Sequence, residues 1–127
     1  DIKLVVRYLA NHKNSEFAIK ILEASREQNK YEEVLSTIFE KQPVWAQHNN
    51  EKPELLWIFL AQIEGLNIDK LKEDMKNPKI DEIIKIDRQD ATALNVKGTP
   101  TIFVNEKKLE RLSQKDLFDL IEAEIYK

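Results

Sequence analysis

Apolar residues recur at two different spacings along the chain, and each spacing predicts a different kind of element. Residues 1–9, with the apolar run Ile2 to Leu9, form a nearly continuous stretch that is typical of a strand covered on both faces. Most of the chain that follows keeps the spacing of three and four residues that indicates amphipathic helices. The apolar residues of these predicted helices are Phe17 to Leu22, Tyr31 to Phe39, a turn around Trp45, Leu55 to Leu60, Leu71 to Met75, Ile80 to Leu94 and Leu117 to Ile125.

Capping residues predict where several helices begin and end. Pro53 suits the first position of a helix, because its missing N–H would have no partner there. Asn67 or Asp69 caps the short helix that carries Leu71. Asn95 is a left-handed terminator, and Ser113 starts a capping-box pattern before the last helix.

A turn and a hairpin separate the last two predicted helices. Gly98-Thr99-Pro100 leads directly into the β-branched and aromatic strand Thr101 to Val104. Pro100 has no N–H, so it fits the mouth of a strand better than its middle, and Gly98 supplies backbone freedom before it. Asn105-Glu106 is a two-residue turn, and Lys107 to Leu109 forms the returning edge strand.

The run Leu55 to Leu60 has two interpretations. It is apolar nearly all round, so we expect a helix that is buried in the core. The alternative is a partly exposed apolar patch for an unfolded substrate or another partner. We adopt the buried interpretation.

Length and composition bound the class of protein. The 127 residues are 42% hydrophobic and 34% charged, which indicates one folded domain and not a disordered chain. The net charge of −3 and the absence of a basic stripe argue against nucleic acid as a partner. The longest apolar run is far shorter than the roughly 20 residues of a membrane span, so none is predicted. Nor does the chain open on a signal-peptide pattern.

Candidate chemistry is sparse. The chain has no cysteine, so disulfides, thiol nucleophiles and thiolate metal sites within it are excluded. His12 and His48 are far apart and lack further ligands at metal spacing, so we interpret both as loop residues. The many carboxylates are expected on solvated helix faces, in pairs four residues apart. We predict no catalytic, cofactor-binding or metal-binding residue and no cofactor.

Several segments together resemble the DsbA-like family of thiol–disulfide oxidoreductases. The sequence Gly98-Thr99-Pro100-Thr101 is similar to the family's cis-proline loop and is the most specific part of the likeness. Softer similarities span nearly all of the chain. They lie in Ile2 to Tyr8, His12 with Asn14 to Ala18, Ala24 to Gln28, Tyr31-Glu32, Ile38-Phe39, Leu66 to Asp69 and Val96 to Val104.

The resemblance implies a thioredoxin-like α/β fold for residues 1–127 as a single domain. Residues 1–9 would be a strand, 10–95 an inserted helical subdomain, and 96–127 the cis-proline loop, hairpin and C-terminal helix. It also implies that Gly98, Thr99 and Pro100 bind substrate, with Thr99 offering backbone groups to an extended peptide or protein by β-augmentation.

Two departures from the family affect what the chain can do. Glu106 stands where the family usually has glycine. The family's first strand, its C-x-x-C active site and the following helix would precede Asp1, so we expect an N-terminally truncated domain. That missing strand would lie between residues 2–9 and the hairpin. Its absence predicts an open sheet edge. Either an upstream segment that filled this edge was removed, or a neighbouring molecule fills it in a homo-oligomer or by a strand swap. The remaining alternative is that residues 2–9 take another place.

We therefore expect a fragment of a bacterial thiol–disulfide oxidoreductase from the periplasm or another extracytoplasmic compartment, redox-inactive as printed. One alternative is a redox-dead thioredoxin-like module that binds peptides or partners. Another is a relative of the glutathione-dependent isomerases and transferases of the same fold. A C-x-x-C upstream of Asp1 would favour the first interpretation, a serine there the isomerase, and neither the binding module.

Overall fold

Helices dominate the computed structural model, which describes residues 2–12, 14–47 and 49–127. The helices are α1 (Ser15–Ala24), α2 (Tyr31–Glu40), α3 (Gln42–Trp45), α4 (Leu55–Leu60), α5 (Ile68–Asp74), α6 (Pro78–Ala93) and α7 (Gln114–Ile125), with a 3₁₀ turn at Ser25–Gln28. One antiparallel sheet joins β1 (Phe103–Val104) and β2 (Lys107–Lys108). The chain forms two compact units, residues 1–90 and 91–127, so the single domain stays a prediction.

The core of the first unit lies among the helices that the apolar spacing predicts. α1 packs against α2 and α5, and both α2 and α3 pack against α4. Two aromatic contacts fix the orientation of this layer. The Trp45 indole N–H donates to the carbonyl of Ile38 at 2.9 Å, and the rings of Phe17 and Trp57 meet edge to face at 5.8 Å. The buried apolar residues are Ile19, Ile21, Leu22, Ala24, Val34, Ile38, Trp45, Leu56, Leu60, Leu71, Ile80 and Ile84.

The predicted helix boundaries agree with the structure at three caps. The Asn67 side chain accepts from the N–H of Lys70 at 3.0 Å, which selects Asn67 over Asp69 as the cap of α5. Ser113 caps α7 by accepting from the N–H of Asp116 at 3.0 Å. Asn95 has φ 57°, the left-handed conformation predicted for it. Pro53 lies in a turn, and α4 begins two residues later than its position predicts.

The expectation that α4 is buried on all sides is wrong for one side. Leu56 and Leu60 are fully buried, but Ile58 is 58% exposed. Residues two apart on a helix are rotated by about 200°, so Ile58 points away from the side that carries Leu56 and Leu60. The core therefore covers α4 on one face.

A strand is predicted over residues 1–9, but the described residues 2–9 do not form one. No strand or helix is assigned to residues 2–12, and Ile2 to Arg7 are exposed. A strand is defined by hydrogen bonds to a neighbouring strand, and the described part of the chain places none beside this segment. The apolar pattern alone cannot supply that partner.

The second unit consists of the end of α6, the hairpin and α7. β1 pairs with β2 in the predicted register, with Val104 opposite Lys107 and Phe103 opposite Lys108. Both strands are shorter than the predicted Thr101 to Val104 and Lys107 to Leu109. Leu109 is buried, and α7 packs against β1 although none of its own residues is fully buried.

No helix among the described residues is long and apolar enough to cross a membrane, as the sequence predicts.

Candidate functional site

The loop predicted to bind substrate starts from a Schellman motif at the end of α6. The N–H of Val96 donates to the carbonyl of Ala91 at 2.8 Å, and the N–H of Asn95 donates to the carbonyl of Thr92 at 3.1 Å. With Asn95 left-handed, this is the six-to-one and five-to-two pattern that ends a helix and redirects the chain. The motif therefore fixes the direction in which the loop leaves the helix.

The loop residues Gly98, Thr99 and Pro100 lie together at the mouth of β1. The Thr101 hydroxyl donates to the carbonyl of Gly98 at 2.6 Å, which closes the turn. Thr99 and Pro100 are exposed, and the peptide bond between them is cis. Within the described residues, no hydrogen bond engages the backbone N–H or carbonyl of Thr99.

Gly98 does not have the role that its position suggests. Its φ lies outside the left-handed region, and an added Cβ would meet no atom within 4 Å. Neither backbone conformation nor space requires glycine here, so the prediction that Gly98 supplies needed freedom is wrong. The glycine with a positive φ is Gly65, at 82°.

The outer edge of β1 is free. Leu109 donates its N–H to the carbonyl of Ile102 at 2.8 Å, so those two residues form a hydrogen-bonded pair of the ladder. Such pairs alternate with non-hydrogen-bonded pairs, whose peptide groups point outward. The N–H and carbonyl of Phe103 therefore face away from β2, on an edge that no described strand covers. Thr99, whose backbone groups are also unpaired, lies just before this edge in the chain.

A buried carboxylate ties the hairpin to α7. Glu124 accepts from the side-chain amide of Asn105 at 3.0 Å and forms ion pairs with Lys107 at 2.9 Å and Lys127 at 3.3 Å. The hydrogen bonds from Asn105 and Lys107 lower the pKa of Glu124 to about 2. Asn105 itself has φ 55°. Its backbone therefore forms the left-handed turn of the hairpin, and its side chain donates to Glu124.

The structure describes one of the two histidines. His12 is exposed, and its backbone N–H donates to the Ser15 hydroxyl at 3.1 Å. His48 lies outside the described residues. Across residues 2–12, 14–47 and 49–127, no three side chains form a group suited to a metal ion.

Asp87 is a structural site that sequence reasoning missed. Its carboxylate accepts from the Arg7 guanidinium at 2.5 Å and from the backbone N–H of Tyr8 at 2.9 Å. Asp90 also accepts from Arg7, at 2.5 Å. The hydrogen bonds that Arg7 donates to Asp90 and then to Asp87 raise the pKa of Arg7 above its usual value. Residues 7 and 8 are thereby fixed to α6.

A second missed cluster surrounds the Tyr8 side chain. The Tyr8 hydroxyl donates to Glu23 at 2.5 Å and lies 2.6 Å from the Tyr31 hydroxyl. Arg26 donates to the same carboxylate at 2.9 Å, and its guanidinium lies 3.8 Å from the centre of the Tyr31 ring. Burial, followed by the hydrogen bond to Glu23, raises the pKa of Tyr8 well above its usual value.

The expectation that carboxylates lie on solvated faces is therefore only partly right. Lys70 with Asp74 and Lys115 with Asp119 form ion pairs four residues apart, which is the kind of pairing that the sequence predicts. Asp87 instead shares the buried side of α6, three and seven residues beyond Ile84 and Ile80. Its position in the apolar repeat was the available signal. Glu124 likewise follows Leu117, Leu120 and Ile121 at helical spacing.

Comparisons with known proteins give one family and one relative. A family model described as thioredoxin matches residues 1–123. The Na⁺/H⁺ antiporter NhaA of Herminiimonas arsenicoxydans is 28% identical over 109 residues, which cover 86% of this chain and 16% of that protein. The chain thus spans about a sixth of the length of this curated relative. No solved structure matches the chain significantly.

Proposed function

The chain belongs to the thioredoxin family, and from this we propose that it is the peptide-holding part of a DsbA-like thiol–disulfide oxidoreductase. The observation that carries the proposal is the unpaired backbone of Thr99 beside the free edge of β1. Both segments offer backbone groups to an extended peptide, which would bind by β-augmentation. Gly98, Thr99 and Pro100 form the substrate-binding loop in this proposal.

The chemistry of disulfide exchange determines which step this chain can contribute to and which step needs another group. Exchange begins when a thiolate attacks a disulfide sulfur and a mixed disulfide forms. The printed chain has no cysteine, so a thiol from outside it must supply the attacking sulfur. This chain then contributes substrate alignment, and by itself it is redox-inactive.

The rest of the chain fits into the same proposal. Residues 10–95 are the helical subdomain inserted into the thioredoxin-like fold, and residues 96–127 are its closing part. The proposed parent is bacterial and acts in the periplasm or another extracytoplasmic compartment.

A redox-dead binding module is the second candidate, and the curated relative favours it. That relative is named as a Na⁺/H⁺ antiporter, and this chain corresponds to 16% of it. A domain without cysteine inside a longer protein of a different kind would bind peptides without exchanging disulfides. In this candidate the same loop, Gly98 to Pro100, holds the peptide.

Nuclear magnetic resonance titration of the printed chain tests the loop directly. The probe is a short extended peptide with one alkylated cysteine, compared with a version N-methylated at alternate residues. We expect the first peptide to shift the amide signals of Thr99, Thr101 and Phe103, and the N-methylated peptide to bind much more weakly. Shifts confined to the helical unit, or equal binding of both peptides, would contradict β-augmentation at this loop.

Two further measurements separate the candidates. A dithiol-dependent disulfide reduction assay on the printed chain should give no turnover, since there is no thiol. The coding sequence upstream of Asp1 then decides between them. A C-x-x-C after a strand supports the oxidoreductase, whereas its absence together with a positive titration supports the binding module.

A further inference from the structure

α6 is attached to the rest of the first unit in two different ways along its length. Ile80 and Ile84, in its first half, are buried in the core. Among residues 85–93, all of which the structure describes, no apolar side chain is buried, and Ile86 is 42% exposed. The buried residue of this second half is the carboxylate Asp87. The second half is therefore held by charge and hydrogen bonds, and not by apolar burial.

The partner of this second half is the chain segment around Arg7. Arg7 donates to Asp87 and to Asp90, at 2.5 Å in both cases. Tyr8 donates its backbone N–H to Asp87 at 2.9 Å. Arg7 thus bridges two carboxylates that are three residues apart on α6 and therefore share one face of the helix. We call the cluster of Arg7, Asp87 and Asp90 the Arg7 latch.

The charge of the Arg7 latch matters because of its place on α6. The last turn of a helix carries unpaired carbonyls and partial negative charge, so a cation stabilises it and a carboxylate destabilises it. The last turn of α6 contains Asp90 and no basic residue. Arg88 precedes this turn, and its guanidinium donates to the carbonyl of Ala10 at 3.2 Å. Arg7 therefore brings to this end of α6 a cation that the helix does not have in its last turn.

We propose that the Arg7 latch is a salt-sensitive conformational switch for the last turns of α6. While Arg7 is bound to Asp87 and Asp90, residues 87–93 stay helical. When ions screen these pairs, those turns fray, and the first half of α6 stays in place through its apolar contacts. Charge thus controls the end of the helix independently of its start.

The Schellman motif after α6 connects this switch to the loop that follows. The two hydrogen bonds of the motif are accepted by the carbonyls of Ala91 and Thr92, which belong to the same last turn. When that turn frays, Asn95 and Val96 lose these acceptors. The loop Gly98 to Pro100 then no longer leaves the helix in a fixed direction, whatever it binds.

Exposure determines which contacts of the latch salt can weaken. The side chains of Arg7 and Asp90 are 48% and 49% exposed, whereas that of Asp87 is 7% exposed. Between about 0.1 M and about 1 M salt, the Debye length falls from about 10 Å to about 3 Å, so exposed pairs are weakened most. The pair of Arg7 with Asp90 is therefore the most salt-sensitive part of the latch.

Two other contacts have to be separated from the latch. The Tyr8 hydroxyl donates to Glu23 at 2.5 Å and lies 2.6 Å from the Tyr31 hydroxyl, so residue 8 stays on α1 and α2 when the latch opens. Lys20 and Asp81 form an ion pair at 3.1 Å between α1 and the first turn of α6. Because salt screens that pair as well, the test needs a variant of the latch and not salt alone.

Hydrogen exchange of backbone amides, followed residue by residue by nuclear magnetic resonance, tests the proposal on the printed chain. We expect Arg7→Gln to speed exchange about tenfold at residues 91–96, because an ionic partner of the helix end is lost. Exchange at Ile83 and Ile84 should change by less than about twofold. Arg7→Lys should lie between, since one ammonium lacks the planar fork that bridges both carboxylates. Lys3→Gln, an equal change of charge at an exposed position of the same segment, is the control and should leave α6 unchanged.

Salt gives the second readout. Raising NaCl from about 0.1 M to about 1 M should speed exchange at residues 91–96 of the unsubstituted chain nearly to the rate in Arg7→Gln. The same change should have little effect on Arg7→Gln itself. Unchanged exchange at residues 91–96 in Arg7→Gln, or an equal response to salt in both proteins, would each overturn the proposal. So would equal acceleration of residues 91–96 and of Leu22 and Val34 in the core, because Arg7 would then support only the stability of the whole unit.

Discussion

Asp87 holds the backbone of Tyr8 as well as the side chain of Arg7. One carboxylate oxygen accepts the N–H of Tyr8 at 2.9 Å, and the other accepts the guanidinium N–H of Arg7 at 2.5 Å. The side chain of Asp87 is almost fully buried, whereas that of Arg7 is about half exposed. A single residue near the end of the first unit thus positions the segment at its start.

Replacing Asp87 with alanine should destabilise the first unit by about 2 kcal/mol, because a buried charged acceptor with two hydrogen bonds is lost. The Arg7 side chain is about half exposed to solvent. We therefore expect a smaller loss of stability than the loss caused by breaking a fully buried ion pair. Asp90→Ala is the matched control. It removes an exposed partner of Arg7 and should cost under about 1 kcal/mol. Urea unfolding of the two variants checks this, and equal losses would contradict the role of Asp87.

The helices and their caps could be predicted from sequence, but these carboxylates could not be assigned in the same way. Asn67, Asn95 and Ser113 act on backbone groups a few residues away, so their roles are local. Asp87 acts on residues about 80 positions earlier in the chain, and only the folded structure brings them together. Its place in the apolar repeat of α6 predicts burial without identifying the partner.

The two glycines should respond to alanine in opposite directions. Gly98→Ala should stabilise the chain by about 0.4–1 kcal/mol, because the native backbone accepts alanine and the unfolded chain loses freedom. Gly65→Ala should cost about 1–2 kcal/mol, since an L-residue is strained at φ 82°. The Cβ at Gly65 would lie 3.5 Å from Lys30, an ordinary contact, so the cost comes from the backbone. Thermal unfolding of both variants measures the difference, and destabilisation by Gly98→Ala would contradict it.

Two residues of α4 should differ strongly despite their similar chemistry. Leu56→Ala should cost about 2–5 kcal/mol because it opens a cavity in the core. Ile58→Ala should change stability by no more than about 0.5 kcal/mol, since Ile58 faces outward. Chemical denaturation provides the comparison. A large loss at Ile58 would show that another surface covers it.

The run Leu55 to Leu60 also shows where hydrophobic pattern stops being informative. Six consecutive apolar residues carry no periodicity, so the sequence cannot say which side of the helix faces the core. The same limit applies to Ile2 to Val6, where the pattern predicts a strand but cannot supply its partner. In both segments, the elements packed beside the segment determine which side is buried or whether a strand forms.

The loop Gly98 to Pro100 could be singled out from the sequence because its residues are contiguous. Gly98, Thr99 and Pro100 lie together at the mouth of β1, as the resemblance implies, and their binding role stays a prediction. The hairpin turn was found for the same reason. Its attachment to α7 through Glu124 was not, because Asn105 and Glu124 are 19 residues apart in sequence.

Glu124 should make the second unit sensitive to acid. Its pKa falls from 4.5 to about 2 in the folded chain, chiefly because Asn105 and Lys107 donate to the carboxylate. A group whose pKa is lower in the folded state stabilises the fold above its unfolded pKa. That stabilisation is complete above about pH 5 and is lost as the pH falls from about 4.5 to 2.

Glu124→Gln should remove this pH dependence, since the amide does not titrate and attracts the two lysines less strongly. We expect the unsubstituted chain to be the more stable at pH 7, with the difference from the variant shrinking between pH 4.5 and 2. Glu122→Gln, at an exposed position of the same helix, is the control and should leave the profile unchanged. Unfolding midpoints measured across this range provide the test, together with the Glu124 side-chain signal in a magnetic resonance titration. An ordinary midpoint near pH 4.5 for that signal would show that Asn105 and Lys107 do not hold the carboxylate in solution.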